Sequence, residues 1–308
     1  MQNTEYLELV ETAGGRENHY ARVVDRYYEL VTPMCRDVWS DSFHLAWFAE
    51  GQQLHEAQRT MQRWLADRGG FTAGDELLDV GCGIGGPAAN VAEYTGAAVT
   101  GVNICGHQVR VARSMHTGDV GTRLTFVEAD AMQLPYEPVR FDGVYSIEAL
   151  CYTPDKHRAY AEVARVLKPG GAFVGADWFC ADDLSEADYA RWVEPMCRAF
   201  AIPRVIPFGG VREHLETAGF EVESVSRYDD HGDVAPNWRL CAENSANAAG
   251  TAGAVDAAGV GGASGAVDAS NSRPESFESL LEASVPALRD ACRAGKVIMG
   301  CWVARRRG

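Results

Sequence analysis

The chain has 308 residues, of which 46% are hydrophobic and 23% are charged, so it can bury a sizeable core as one domain with appended elements. Its formal net charge of −15 argues against nucleic acid as a partner, because phosphates require a basic surface. The nine cysteines include no C-x-x-C pair, which is typical of reduced thiols in a cytoplasmic protein. We also expect no signal peptide and no transmembrane segment.

Residues 1–70 predict a helical cap that is rich in aromatic side chains. Apolar residues recur at helical spacing within residues 27–31 and again within residues 54–65. Between these helices, Thr32-Pro33 predicts a break, and residues 39–44 predict an ordered loop.

The spacing of apolar residues changes near residue 75 from the helical pattern to short apolar runs. A core domain is predicted over residues 71–241. Short apolar runs alternate with helical segments of about a dozen residues, a pattern typical of a mostly parallel sheet with helices on both faces. We therefore predict a doubly wound, Rossmann-like α/β core. The predicted strands are 76–80, 98–102, 124–127, 141–147 and 172–176, and the helices are 87–95, 106–116 and 155–167.

The C-terminal part predicts two more helices, at 185–200 and 211–218, and a strand at 220–225. Residues 242–275 are mostly Ala, Gly, Asn, Ser, Val and Asp without an aromatic residue, and such a segment cannot offset its ordering entropy. It is predicted to be a disordered insertion. The final segment, 276–308, predicts a helix broken or kinked near Pro286, and then a strand that completes the sheet antiparallel to its neighbours.

A glycine-rich turn joins the first predicted strand to the first predicted helix of the core. Leu77 to Gly86 read LLDVGCGIGG, and such a turn lets a ligand approach the backbone closely. A dinucleotide site and a purely structural turn stay open on this motif alone. Its G-C-G-x-G-G form after Leu-Asp-Val favours the nucleoside and amino acid of S-adenosylmethionine over a pyrophosphate.

Polar side chains follow the next three strands, at the sheet edge where open α/β proteins bind ligands. Asn103 is placed to contact a ribose hydroxyl, Asp130 to accept from an adenine amino group, and Ser146 and Glu148 lie at the carboxyl end of the fourth strand. The sequence thus predicts S-adenosylmethionine as cofactor. The predicted cofactor-binding residues are Asp79, Gly81, Cys82, Gly83, Asn103, Ile104, Gln108, Asp130, Ala131 and Ser146.

Residues 27–180 resemble the sterol C-24 methyltransferases of the class I methyltransferase superfamily. The glycine motif is common to the superfamily, whereas Ser42-Phe43-His44 and Ile147-Glu148-Ala149 are more particular to the sterol enzymes. The matching segments are YYELVT (27–32), WSDSFH (39–44), DVGCGIGGPA (79–88), GVN (101–103), YSIEA (145–149) and VLKPGG (166–171).

The resemblance implies methylation of an isoprenoid double bond through a carbocation that a base then deprotonates. That chemistry needs a dry pocket, aromatic faces toward the cation and a carboxylate. We expect Glu148 to be the base, although a cofactor contact or a surface carboxylate is an alternative. His44 is expected to assist it or to be structural. The rings expected near the cation or the substrate, unless they are ordinary core residues, are Tyr27, Tyr28, Trp39, Phe43, Trp47 and Trp178.

Residues 33–38 depart from the sterol enzymes, where this stretch is acidic and aromatic. Here rings are lost and Arg36 is gained, and the chain is also shorter after Phe220. A smaller pocket with an added cation favours geranyl or isopentenyl diphosphate as acceptor, bound by Arg36 and Arg204 and accompanied by Mg²⁺. Alternatives are a sterol or triterpenoid acceptor, N- or O-methylation of a small metabolite, and a non-catalytic S-adenosylmethionine-binding module. The oligomeric state stays open, a homo-oligomer included.

Overall fold

The architecture is a seven-stranded sheet in the order β3-β2-β1-β4-β5-β7-β6, taken from a computed structural model that describes residues 1–239 and 276–308. β1 to β5 pair in parallel, and β7 lies antiparallel between β5 and β6. The doubly wound core and its antiparallel C-terminal strand are therefore confirmed. The strands are β1 (Glu76–Val80), β2 (Ala98–Asn103), β3 (Leu124–Glu128), β4 (Phe141–Ile147), β5 (Leu167–Cys180), β6 (Phe220–Arg227) and β7 (Val297–Arg306).

Helices cover both faces of the sheet. They are α1 (Asn3–Val10), α2 (Ala13–Asn18), α3 (Tyr20–Trp39), α4 (Leu54–Gly69), α5 (Gly86–Thr95), α6 (Gly106–Met115), α7 (Gly118–Gly121), α8 (Lys156–Val166), α9 (Glu186–Asp188), α10 (Glu194–Ala199), α11 (Val211–Thr217) and α12 (Phe277–Arg293). Among the described helices, none is long and apolar enough to cross a bilayer.

Each face of the sheet has its own hydrophobic core, because successive strand residues point to opposite faces. On β1, Leu77 packs into the cluster that includes α4, α5 and α6, whereas Leu78 and Val80 pack into the cluster that includes α8 and α11. The sheet therefore lies between two packed layers of helices. The sheet edge at the carboxyl ends of β1 to β4 positions the candidate site.

Three predicted breaks are absent. α3 runs through Pro33, although proline has no N–H to donate to the preceding turn, and the neighbouring Thr32 hydroxyl donates to the Tyr28 carbonyl at 2.5 Å. α12 also continues through Pro286, where a break or a kink was predicted, so the helix is not broken there. β5 begins at Leu167 instead of residue 172, because the Pro-Gly-Gly segment forms an irregularity within the strand instead of a turn before it. The predicted disordered insertion, 242–275, lies outside the described residues.

Candidate active site

A cleft opens at the carboxyl ends of β1 to β4, between these strands, α3 and the loop before α4. Its empty volume is about 810 Å³, part of it open to solvent. Most of the residues predicted to bind the cofactor and several predicted catalytic residues meet there. The predicted residues that line the cleft are Tyr28, Phe43, His44, Gly81, Cys82, Gly83, Asn103, Ile104, Gln108, Asp130, Ala131 and Glu148.

Two predicted cofactor residues, Asp79 and Ser146, lie behind the lining, within β1 and β4. The Ser146 hydroxyl is fully buried and donates to the Val80 carbonyl at 2.8 Å, so it ties the two strands together. Asp79 is also buried, and burial raises its pKa to about 8. Both side chains therefore lie within the sheet and do not face the cleft.

Four predicted aromatic residues also lie outside the lining. Tyr27 is buried in a cluster of the N-terminal helices, and Trp39 packs, half-buried, against the main core. Trp47 contacts the Tyr228 ring edge to face at 5.3 Å, and Trp178 contacts Phe200 in the same manner. These four rings therefore belong to the hydrophobic packing around the cleft and not to its lining.

Neither predicted diphosphate-binding arginine lines the cleft. Arg36 is exposed on the last turn of α3. Arg204 pairs with Glu186 at 3.5 Å on the surface, and its guanidinium lies 4.4 Å from the centre of the Tyr189 ring. Neither guanidinium group is therefore in a position to bind an acceptor diphosphate in the cleft.

Gly81 and Gly83, both in the turn after β1, lack a side chain with different consequences. At Gly81, with φ +86°, an added Cβ would lie 2.1 Å from the Ala149 Cβ, so the missing side chain lets the turn pack against the end of β4. At Gly83, with φ +54°, an added Cβ would meet no atom within 4 Å. The space beside Gly83 is thus open, as the close approach of a ligand requires. This cradle fits the methionine part of S-adenosylmethionine.

The end of β2 is tied to both neighbouring helices. Asn103 accepts from the Cys105 amide at 3.1 Å and donates to the Gln108 amide oxygen at 2.8 Å. Gln108 in turn donates to the Thr32 hydroxyl on α3 at 3.1 Å. The side-chain amide of Asn103, the predicted ribose contact, is therefore held by a hydrogen bond to α6 and is linked through Gln108 to α3.

One stripe of α3 forms the opposite wall of the cleft. Tyr20, Val24 and Tyr28 recur at a spacing of four residues and all line it. The Tyr28 hydroxyl donates to that of Tyr152 at 3.0 Å, and Tyr152 also lines the cleft. The sequence reasoning missed Tyr20 and Tyr152, although the helical period of Tyr20 with Tyr28 was a signal for the first.

Glu148 is the first residue after β4, and its backbone is in the left-handed region with φ +49°, uncommon for a residue with a side chain. Its side chain is 7% exposed, and Oε1 accepts from the Leu45 amide and from the Tyr228 hydroxyl, each at 3.1 Å. Burial raises the pKa of this carboxyl to about 8, nearby Asp177 adds to the effect, and the two donors oppose it. Glu148 is thus poised to exchange a proton near neutral pH.

His44 lines the cleft, but its ring nitrogens are both engaged. Nδ1 lies 2.7 Å from the Leu45 carbonyl oxygen, and Nε2 lies 2.9 Å from the Gln62 amide nitrogen. Gln58, one turn earlier on α4, donates to the carbonyls of Ser42 and His44. Burial lowers the pKa of His44 to about 4, so the ring is neutral. His44 therefore shapes the loop that presents the Leu45 amide to Glu148, and no ring nitrogen is free to accept a proton.

Several acidic side chains line the cleft. Asp41, Asp130 and Glu148 contribute carboxyl groups, and the lining, as far as the structure describes it, contains no lysine or arginine. Nor does any group of three His, Cys, Asp or Glu side chains in residues 1–239 and 276–308 have the arrangement of a metal site. Such a cleft favours a cationic ligand, as the sulfonium of S-adenosylmethionine is.

Glu148 also makes a testable contribution to stability. Its pKa is raised on folding, so its contribution is fully present below the unfolded value of about 4.5 and is lost as pH rises through about 8. We expect Glu148→Gln to melt within a degree or so of the wild type at about pH 5 and roughly 5 °C higher at about pH 9. Scanning calorimetry at both pH values measures this, and a difference that does not change with pH would contradict the burial of an ionisable carboxyl.

Residues 78–175 match a protein-family model described as a methyltransferase domain. Over 232 residues the chain is 38% identical to the sterol 24-C-methyltransferase erg6 of Aspergillus fumigatus, covering 74% of this chain and 62% of that protein. Over 210 residues it is 35% identical to the cycloartenol-C-24-methyltransferase of Arabidopsis thaliana, covering 67% of this chain and 62% of that protein. The match thus spans less than two thirds of the length of either relative.

Solved structures share the fold over nearly the whole chain. The [4+2]-cyclase SpnF superposes with a TM-score of 0.74 at 24% identity, covering 93% of this chain and 97% of that one. The geranyl diphosphate C-methyltransferase of Streptomyces coelicolor A3(2), solved with Mg²⁺, geranyl diphosphate and S-adenosyl-L-homocysteine, gives a TM-score of 0.66 at 16% identity, with 93% and 97% covered. At such identities the likeness shows the fold alone.

The fold and the sequence relatives agree with the resemblance recognised in the sequence. The sheet order, the glycine turn after β1 and the antiparallel β7 form one arrangement, and the matched domain covers its central part. The chain has the class I methyltransferase fold with a methyltransferase domain over residues 78–175, and in sequence it resembles the sterol C-24 methyltransferases.

Proposed function

We propose that the protein transfers a methyl group from S-adenosylmethionine to a carbon of an isoprenoid double bond, and that the acceptor is a neutral sterol or triterpenoid. The observation that carries this proposal is the cleft itself. It combines a buried carboxyl group, aromatic rings and a lining without lysine or arginine among the described residues.

The strand ends are the proposed cofactor site. The glycine turn would hold the methionine part, Asn103 the ribose and Asp130 the adenine. When bound there, S-adenosylmethionine supplies an electrophilic methyl group on a cationic sulfur. The Asp41 and Asp130 carboxylates of the lining favour that cation through Coulomb attraction in a cleft of reduced dielectric.

The acceptor choice differs from our preferred expectation, a prenyl diphosphate. The sequence relatives that cover most of this chain are named as sterol or cycloartenol methyltransferases, and they favour the sterol alternative. The lining supports it independently, because a diphosphate would face carboxylates without a compensating arginine. Arg36 and Arg204, which suggested a diphosphate, lie outside the cleft.

The aromatic side chains of the lining and Glu148 would act on the acceptor after methyl transfer. Tyr28, Phe43 and Tyr152 line the cleft, where their rings would stabilise a carbocation and exclude water from it. Glu148 would then accept the proton whose loss restores a double bond. The raised pKa of Glu148, about 8, suits a group that takes up a proton near neutral pH.

A panel of acceptors tests the proposal. The protein is incubated with methyl-labelled S-adenosylmethionine and either cycloartenol, geranyl diphosphate or isopentenyl diphosphate, each with and without EDTA. We expect label in cycloartenol, unchanged by EDTA. Label in a prenyl diphosphate alone, lost on adding EDTA, would overturn the acceptor and support a diphosphate with Mg²⁺.

A further inference from the structure

Tyr228 follows β6 directly, far along the chain from the cofactor motifs, yet its hydroxyl reaches the cleft carboxyl. Its side chain is fully buried, and the hydroxyl donates to Glu148 Oε1 at 3.1 Å. The Tyr228 ring is held edge to face against Trp47 at 5.3 Å between ring centres. Tyr228 is therefore a fixed donor behind Glu148 and does not itself line the cleft.

The donors converge on one oxygen of the carboxylate. The Leu45 amide donates to Oε1 at 3.1 Å, as the Tyr228 hydroxyl does, and no hydrogen bond to Oε2 is found among the described residues. The Trp178 indole nitrogen lies near enough to lower the pKa of Glu148, but it has no hydrogen-bond partner within the described part of the chain. The two carboxylate oxygens are thus in different environments.

We propose that Tyr228 is a positioning residue that, with the Leu45 amide, holds Oε1 as an acceptor and leaves Oε2 as the atom that takes the proton from the methylated acceptor. This rests on the proposed function, in which Glu148 is the base. Tyr228 contacts neither the acceptor nor the cofactor in this assignment. It acts through Glu148.

In this assignment the two donors to Oε1 need not rearrange when the proton is transferred. A C–H bond next to the cationic carbon breaks, its electron pair becomes the new π bond, and the proton forms an O–H bond with Oε2. Oε1 is then the carbonyl oxygen of a neutral acid, and a carbonyl oxygen still accepts both hydrogen bonds. The donors are in place before and after the step, which is the condition for preorganised catalysis.

Tyr228→Phe tests the assignment, because it removes one donor and keeps the ring against Trp47. The base must be ionised, so activity is lost as pH falls through the pKa of Glu148. Losing a donor to the charged form raises that pKa. We expect kcat on cycloartenol to fall roughly tenfold at neutral pH, the acidic limb of the rate profile to move to higher pH, and KM and S-adenosylmethionine affinity to stay within about twofold.

Two further variants separate this inference from the proposed function. Tyr6→Phe removes another buried phenol hydroxyl, in the N-terminal cluster, and should leave the profile unchanged. Glu148→Gln must abolish most of the turnover if Glu148 is the base at all. A Tyr228→Phe enzyme with the wild-type profile, beside an inactive Glu148→Gln enzyme, would overturn the positioning role alone.

A titration without acceptor gives a second readout. Infrared difference spectra against Glu148→Gln isolate the protonated carboxyl band of Glu148 in the wild type and in Tyr228→Phe. We expect the midpoint of that band to lie at higher pH in Tyr228→Phe. An unchanged or lower midpoint would contradict the proposal, whatever the acceptor is.

Discussion

Replacement of Glu148 by glutamine is expected to lower turnover ~100-fold or more, the usual scale for a lost general base, while S-adenosylmethionine affinity changes little. Glutamine keeps the shape of the side chain and its oxygen can still accept from Leu45 and Tyr228, but it carries no charge and takes no proton. Steady-state kinetics on the acceptor and calorimetry of the cofactor measure the two effects separately. A hydroxylated product, formed when water captures the methylated cation, would be direct support.

Glu137→Gln is the matched control, because Glu137 is exposed and lies outside the cleft. It should leave rate and affinity unchanged. A Glu148→Gln enzyme with near-normal turnover would mean that another group takes the proton. Equal losses of affinity and rate would make Glu148 a cofactor ligand instead of a base.

Gly83→Val is expected to weaken S-adenosylmethionine binding by a factor on the order of 100 while the protein remains folded. A branched side chain would fill the open space beside Gly83, where an added Cβ meets no protein atom. The variant Gly81→Val is less informative, because its Cβ would collide with Ala149 and disturb the fold. Titration calorimetry and circular dichroism give the two readouts.

Gly70→Val controls for backbone strain. Gly70 also has a positive φ, +70°, and an open Cβ position, but it ends α4 away from the cleft. Both variants should lose similar stability, and only Gly83→Val should lose the cofactor. Unchanged cofactor affinity in folded Gly83→Val would contradict the placement of the cofactor.

The sheet and the residues at the strand ends that line the cleft were predictable because the signals are local. Each parallel strand is a short apolar run, and the residue that follows it lies at the ligand-binding edge whatever the rest of the chain does. Gly81, Asn103, Asp130 and Glu148 were therefore placed from the strands that precede them. The cleft brings all four together.

The surroundings of Glu148 were not predictable, because its partners are remote in sequence. Tyr228 is 80 residues away and Leu45 is 103 residues away, and no periodicity relates residues across such separations. The buried amides of Gln58 and Gln62 look like ordinary polar positions of a helix until the loop they hold is seen. Arg36 was predicted to bind the acceptor, but it lies outside the cleft. The sequence shows that a positive charge exists and not where its side chain lies in the fold.

The position of the transferred carbon is the most direct test of the central claim, methylation of an alkene carbon. The protein is incubated with cycloartenol and S-adenosylmethionine carrying a ¹³C methyl group, and the product is analysed by NMR and mass spectrometry. The account predicts a labelled carbon bonded to a carbon of the isoprenoid side chain. A label bonded to oxygen or nitrogen, or no transfer to cycloartenol, would contradict it.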